Sequence, residues 1–233
     1  MTHYFLNDEN LSSNEKITVS KINGQEFKFI TDNGVFSKKG LDFGTRTLLE
    51  TLNLENIFGN VLDFGCGYGP IGIYVSKNTK ANVHMIDINR RSLELARKNV
   101  SINHVNAKIY ESDIYSNVNE KFDYIITNPP IRVGKKILYQ ILFDAKKILN
   151  PKGHLICVIN KDQGAKSVIK DLEKEYKVEI LNKNKGFFVI DCLFCWQFVQ
   201  YNVKLYIGGI YCFCDNMCIH CLIVYGVKKW LIQ

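Results

Sequence analysis

Proline is scarce in this 233-residue chain: there are four, and two of them, Pro129 and Pro130, are adjacent. Cysteine is nearly missing from the first 190 residues, where only Cys66 and Cys157 occur. A cytosolic chain keeps its thiols reduced, which argues against a disulfide framework. No signal-peptide pattern is found: Met1-Thr2-His3-Tyr4-Phe5-Leu6-Asn7-Asp8 has neither a basic nor an apolar region, and the expected location is the cytoplasm. No apolar run suits a membrane span. Even the apolar C-terminal stretch is interrupted by Gln197, Gln200 and Asp215-Asn216. Internal repeats are lacking, which sets aside solenoid architectures. Acidic residues number 23 against 30 Lys and Arg, and the net charge of +7 is compatible with a polyanionic partner without requiring one. The length suits one domain with a sizeable core, plus an appendage.

What the chain does have is alternation. Runs at 17–21 and 26–30, separated by Asn23-Gly24, predict a hairpin. A glycine-punctuated loop follows from Thr31 to Gly44, then a short helix beginning near Thr45. Between residues 60 and 160, strand-like runs (60–64, 82–87, 107–112, 122–127, 154–160) alternate with helix-like segments (70–78, 90–103, 135–149). This pattern predicts a parallel sheet with helices on both faces. Asn89 is placed to cap helix 90–103, whose Leu93, Ala96, Arg97 and Val100 recur at helical spacing. A helix at 164–175 and strands at 177–182 and 186–190 complete the sheet.

The string Val61-Leu62-Asp63-Phe64-Gly65-Cys66-Gly67-Tyr68-Gly69-Pro70 ends the first strand of this sheet and turns into a helix. Alternate glycines, Gly65, Gly67 and Gly69, let backbone approach a ligand closely. The dinucleotide fingerprint fails at its last step, because its third glycine falls due where Pro70 stands; a nicotinamide dehydrogenase is thereby disfavoured. Asp63 suits a cationic or amino-bearing ligand better than a pyrophosphate. Asp87, in Ile86-Asp87-Ile88, stands at the end of the second strand, where a carboxylate can accept both hydroxyls of a ribose. Asp113, in Glu111-Ser112-Asp113-Ile114, follows the third strand and is positioned to meet an adenine amino group. Any one of these aspartates alone reads as a helix cap or loop carboxylate. At successive strand ends beside a glycine turn, the three resemble the class I S-adenosylmethionine-dependent methyltransferases. The resemblance implies an α/β, Rossmann-like sheet, mostly parallel with an antiparallel last strand, preceded here by the N-terminal β-hairpin. It implies S-adenosyl-L-methionine as cofactor, with Ile88 and Ile114 joining the aspartates and glycines around it.

The fourth strand runs into Asn128-Pro129-Pro130-Ile131. Each proline fixes its own φ, lacks an N–H donor and pushes the preceding residue out of the helical region, so the corner is stiff. One reading is a turn that merely ends a strand. In the other, the Asn128 amide oxygen and the Pro129 carbonyl point outward as fixed acceptors, a pair able to hold an –NH2 group by both hydrogens. The tetrapeptide is similar to the NPP(Y/F) motif of methyltransferases that modify exocyclic or amide nitrogens. An aromatic amine is a poor nucleophile because its lone pair is spread into the ring. Two acceptors gripping its hydrogens favour a pyramidal nitrogen, and the displacement then depends on orientation and electrostatics. No His or Cys is required as a base.

Longer stretches narrow the family. Gly34-Val35-Phe36-Ser37-Lys38-Lys39-Gly40-Leu41-Asp42-Phe43-Gly44-Thr45-Arg46, together with residues 128–135 and 160–167, resembles the RsmC-like family, named for a 16S ribosomal RNA guanine-N2 methyltransferase. By that resemblance Phe36, Asp42 and Thr45 line the cofactor site. Asn128, Pro129 and Pro130 form the reaction centre, and Ile131, Arg132 and Lys135 face the substrate. The plainer readings are core packing for Phe36 and solvated loop charge for Arg132 and Lys135. The implied partner is ribosomal RNA or the small ribosomal subunit, with no membrane and no metal. Two features depart from the family. Ile131 stands where many relatives carry an aromatic residue on which a flipped base would stack. The best-known members also have an extra N-terminal copy of the fold that helps bind RNA, whereas this chain has the hairpin and loop of residues 1–45. Other readings are an N-methyltransferase of protein glutamine or DNA adenine, and a cofactor-binding, RNA-associated protein without turnover.

The resemblance covers residues 3–190, so the chain divides into the hairpin and loop (1–45), the methyltransferase domain (46–190) and a tail (191–233). Six of the eight cysteines lie in that tail, among many aromatic residues. Cys212, Cys214, Cys218 and Cys221, with His220, could be read as a zinc cluster, but the spacing departs from common ribbons and knuckles. The tail reads better as an out-of-frame extension after a frameshift near codon 191.

Overall fold

The computed structural model describes residues 11–130, 134–195, 203–207 and 210–214. At its centre lies β3 (Asn60–Phe64), in which Val61 faces one apolar core and Leu62 the other. A strand buried on both faces requires layers above and below it, and helices supply them.

Around β3 stand β4 (Asn82–Asp87), β5 (Lys108–Glu111), β6 (Phe122–Thr127), β7 (Leu149–Asn160), β8 (Lys177–Asn184) and β9 (Phe187–Leu193). Their order across the sheet is β5-β4-β3-β6-β7-β9-β8, and β9 alone runs antiparallel to its neighbours. The mostly parallel sheet with an antiparallel last strand is therefore present. Helices α1 (Phe43–Thr51), α2 (Pro70–Asn78) and α3 (Arg90–Ile102) bury Leu48, Ile73 and Leu93 in one core. On the other side α4 (Lys135–Asp144) and α5 (Ala165–Leu172) bury Leu142 and Leu172 in the second.

The expected N-terminal hairpin forms from β1 (Lys16–Ile22) and β2 (Gln25–Thr31), joined by a tight turn at Asn23-Gly24. It belongs to neither end of the sheet. Asn99 of α3 and Asn103, the residue that caps its C-terminal end, hold it instead. The Asn99 amide exchanges two hydrogen bonds with the Ile30 backbone (2.6 and 2.9 Å), and the Asn103 amide does the same with Lys28 (3.2 and 2.7 Å).

Two expected boundaries are corrected. The helix expected at 135–149 stops at Asp144, followed by a single 3-10 turn, because Leu149 is taken into β7 opposite Phe122. A bulge there accommodates Pro151, and a Cβ at Gly153 would meet Asn150 O at 2.9 Å and Phe122 O at 3.1 Å. The last strand, expected at 186–190, runs on to Leu193. Cys192 is fully buried, Asp191 pairs with His154 Nδ1 at 2.9 Å, and Phe194 exchanges backbone hydrogen bonds with Lys152 and Gly153. The change of composition after Ile190 thus does not coincide with the end of the fold. Beyond it, β10 (Val203–Ile207) and β11 (Ile210–Cys214) pair as a separate hairpin. Cys218, His220 and Cys221 lie outside the described residues, and no metal-holding cluster occurs among the described ones. Among those residues no helix is long and apolar enough to cross a membrane.

Candidate active site

Four parallel strands, β5, β4, β3 and β6, end along one edge of the sheet, the place where α/β sheets take their ligands. Backbone and side-chain bonds stitch these ends together. Ser112 N donates to Asp87 O, Cys66 N to Ile86 O, and the buried Thr127 hydroxyl to Phe64 O at 2.9 Å.

The glycine turn divides its work. Gly65 and Gly67 have φ of +64° and +56°, and a Cβ at either would meet nothing within 4 Å, so open space adjoins the backbone there. Gly69 answers to packing: a Cβ would lie 2.6 Å from Met85 Cε. Pro70 begins α2, where a missing N–H costs nothing.

Asp63 is fully buried. Its Oδ2 accepts from Gly72 N at 2.8 Å, while Oδ1 has no partner among the described residues. Burial, opposed by the Gly72 hydrogen bond and reinforced by the Asp87 charge, pushes its carboxyl up to about 8. An orphaned carboxylate oxygen beside an open glycine turn fits a ligand that brings a positive charge or an amino group. Asp87 closes the turn from the next strand: Oδ2 accepts from Gly67 N at 2.8 Å and Oδ1 from Asn89 N at 2.9 Å. Burial pushes the Asp87 carboxyl upward against those bonds. Ile88 is 38% exposed beside it. The loop carrying Phe36, itself 41% exposed, is tied to the same corner by Asn89 Nδ2 donating to Gly34 O at 3.1 Å. Asp113 is exposed one strand further on. Ile114 adopts φ +50°, a conformation that β-branched residues resist, and its carbonyl accepts from Ser112 Oγ at 3.0 Å.

Asn128 lies at the end of β6. Its Nδ2 donates to Thr45 Oγ1 at 2.9 Å and approaches the two Asp42 oxygens at 3.4 and 3.5 Å. A carboxylate offers acceptors only, so the –NH2 end must face Asp42 and the amide oxygen must face the other way. Asp42 is itself anchored as the N-cap of α1, accepting from Gly44 N and Thr45 N at 2.9 and 3.2 Å. Asp42 and Thr45, expected around the cofactor, thus grip Asn128.

The model of the methyltransferase small domain family matches residues 26–191. The chain belongs to that family. It is an S-adenosylmethionine-dependent methyltransferase by this membership. The protein is 41% identical over 193 residues to the uncharacterized protein YbxB of Bacillus subtilis, covering 81% of this chain and 96% of YbxB. It is 39% identical over 150 residues to ribosomal RNA small subunit methyltransferase C of Haemophilus influenzae, 62% of this chain but 45% of that protein. Against the T. thermophilus 16S rRNA N2 methyltransferase RsmC, solved with AdoMet and guanosine, the TM-score is 0.69 at 26% identity, covering 77% of this chain and 50% of that one. The chain therefore spans half or less of these RsmC relatives.

In this methyltransferase the remaining expected residues are spread. Ile131 and Arg132 lie outside the described residues. Pro129 is buried and Pro130 half-buried at the corner. Lys135 opens α4, its Nζ 5.0 Å from the centre of the Tyr139 ring, beside a cleft shared with Gln163 and Ser167 of the neighbouring segment. Asn99 was not among the expected site residues, yet its Nδ2 also donates to Tyr68 O at 2.8 Å, fixing the glycine turn from behind. Its only sequence signal is a polar residue on the buried face of α3.

Proposed function

We propose that this methyltransferase modifies the exocyclic amino nitrogen, N2, of a guanine in small-subunit ribosomal RNA, in the cytoplasm. The observation that carries the reading is the orientation of Asn128. With its –NH2 committed to Thr45 and Asp42, the amide oxygen is left as an acceptor at the strand end. Together with the Pro129 carbonyl it grips both hydrogens of a planar amine and aims the nitrogen lone pair. Asp87 takes ribose hydroxyls on its remaining lone pairs, Phe36 and Ile88 flank an adenine, and Asp63 faces the positive end of the cofactor. S-adenosyl-L-methionine, when bound, supplies a methyl group activated by the sulfonium charge. The work left to the protein is orientation and removal of water. The methylated nitrogen is acidic and releases its proton afterwards. Burial pushes the nearby Cys66 thiol well above its ordinary range, so it stays neutral and takes no part as a base. Support for the guanine comes from the RsmC relatives and from the guanosine held by the T. thermophilus enzyme.

The deciding experiment incubates the purified protein and methyl-labelled cofactor with small ribosomal subunits, naked ribosomal RNA, DNA and a protein extract. Nucleoside analysis should recover the label as N2-methylguanosine from ribosomal RNA. Label in DNA adenine or in protein glutamine would overturn the reading. Replacing Asp87 with alanine should weaken cofactor binding by about 1–3 kcal/mol, the cost of removing a buried hydrogen-bonding partner. Unchanged affinity by calorimetry would contradict its ribose role.

A further inference from the structure

The residue after the two prolines is Ile131, an aliphatic side chain, so the motif brings no ring on which a base could stack. An aromatic pair stands beside the residues that hold Asn128. Phe43, 37% exposed, is the first residue of α1, between the Asp42 and Thr45 that grip Asn128. Phe187, the first residue of β9, lies against it with ring centres 5.6 Å apart and planes tilted by 54°. The pair is close to the reaction corner: a Cβ built on Gly44 would lie 2.8 Å from Phe187 Cε1 and 3.1 Å from Asp42 Oδ1. Its position is fixed. The β8–β9 turn at Lys185-Gly186 has φ of +45° and +86°, and Gly186 O accepts from Lys161 N at 2.7 Å, pinning the hairpin tip to the end of β7. The turn also brings a cation to the pair, with Lys185 Nζ 5.3 Å from the Phe43 centre.

Aromatic faces, a fixed amide acceptor and a lysine at one corner are the three contacts a flipped nucleotide needs: stacking, edge recognition and charge. We propose that Phe43 and Phe187 form the stacking face for the target base, in place of the aromatic residue missing at position 131, with Lys185 beside the phosphate of the same strand. This rests on the proposed nucleobase substrate and names the side chains that select it. A glutamine amide would gain little from such a wall. It is the planar ring of a nucleobase that matches it.

Two measurements test the assignment. On ribosomal RNA, Phe43→Leu and Phe187→Leu should each lower kcat/KM by about 10- to 100-fold, with the double variant at the larger end. Phe187→Tyr should restore transfer, and cofactor binding by calorimetry should be unchanged throughout. In parallel, the fluorescence of 2-aminopurine riboside should be quenched by wild type with S-adenosylhomocysteine bound and regained in the leucine variants. Equal transfer by wild type and both leucine variants, or riboside fluorescence indifferent to them, overturns the stacking face and leaves the RNA reading standing. Quenching that depends on the two rings, with no transfer to ribosomal RNA, overturns the RNA reading and supports the stacking face.

Discussion

Asn128→Ala should lower kcat for methyl transfer by on the order of 10²–10³, the usual loss when one preorganised dipole is removed from a reaction centre. Cofactor affinity should barely change. The reasoning is geometric: Asn128 meets Thr45 and Asp42, not the glycine turn, and Asp42 keeps its N-cap bonds when the amide is gone. Single-turnover rates with saturating labelled cofactor measure the first quantity, and calorimetry measures the second. Loss of both together would assign Asn128 a structural role. Intact turnover would return the Asn128-Pro129-Pro130 corner to a turn that merely ends a strand.

Asp63→Asn should stabilise the cofactor-free protein and at the same time weaken cofactor binding. The Asp63 carboxyl sits at about 8 in the folded protein, against an ordinary value near ~3.9 in the unfolded chain. A folded value raised above the unfolded one means that the stability is fully present below about pH 4 and is lost as pH rises toward 8. Asparagine is neutral throughout and can still accept from Gly72 N, so the difference between the two proteins isolates this loss. The melting temperature of the variant should match wild type near pH 4 and rise progressively above it toward pH 8, each 1 kcal/mol of the difference being worth roughly 2–4 °C in a chain of this size. Saturating cofactor should raise the melting temperature of wild type more than that of the variant. A pH-independent difference would mean that the buried charge is not what the substitution relieves.

Much of the sheet was legible because its signals are local. Alternating apolar runs, the capping Asn89 and the glycine string each act within a few residues, and β3, β4, β6, α2 and α3 lie close to where they were expected. The expected aspartates do stand at successive strand ends. What was not legible crosses the chain. Thr45 and Asn128 are 83 residues apart, and nothing near either one announces the bond. Asn99 and Asn103 read as ordinary polar positions of a helix until β2 is laid against them, about seventy residues upstream. The start of β7 was missed because Leu149 continues a helical pattern; pairing with Phe122 overrides that local preference. Division of the glycine turn between open space and packing was equally hidden, since it depends on where Met85 reaches.

A two-stranded hairpin lying outside the main sheet has a liability of its own. The outer edge of β2 is a row of donors and acceptors that any extended segment from another molecule can join. Here both the N–H and the C=O of Lys28 and of Ile30 are occupied by the amides of Asn103 and Asn99. The side chains imitate the strand that would otherwise add there, so this edge is closed to intermolecular pairing. The same two asparagines that seat the hairpin therefore also block strand addition along β2 at Lys28 and Ile30.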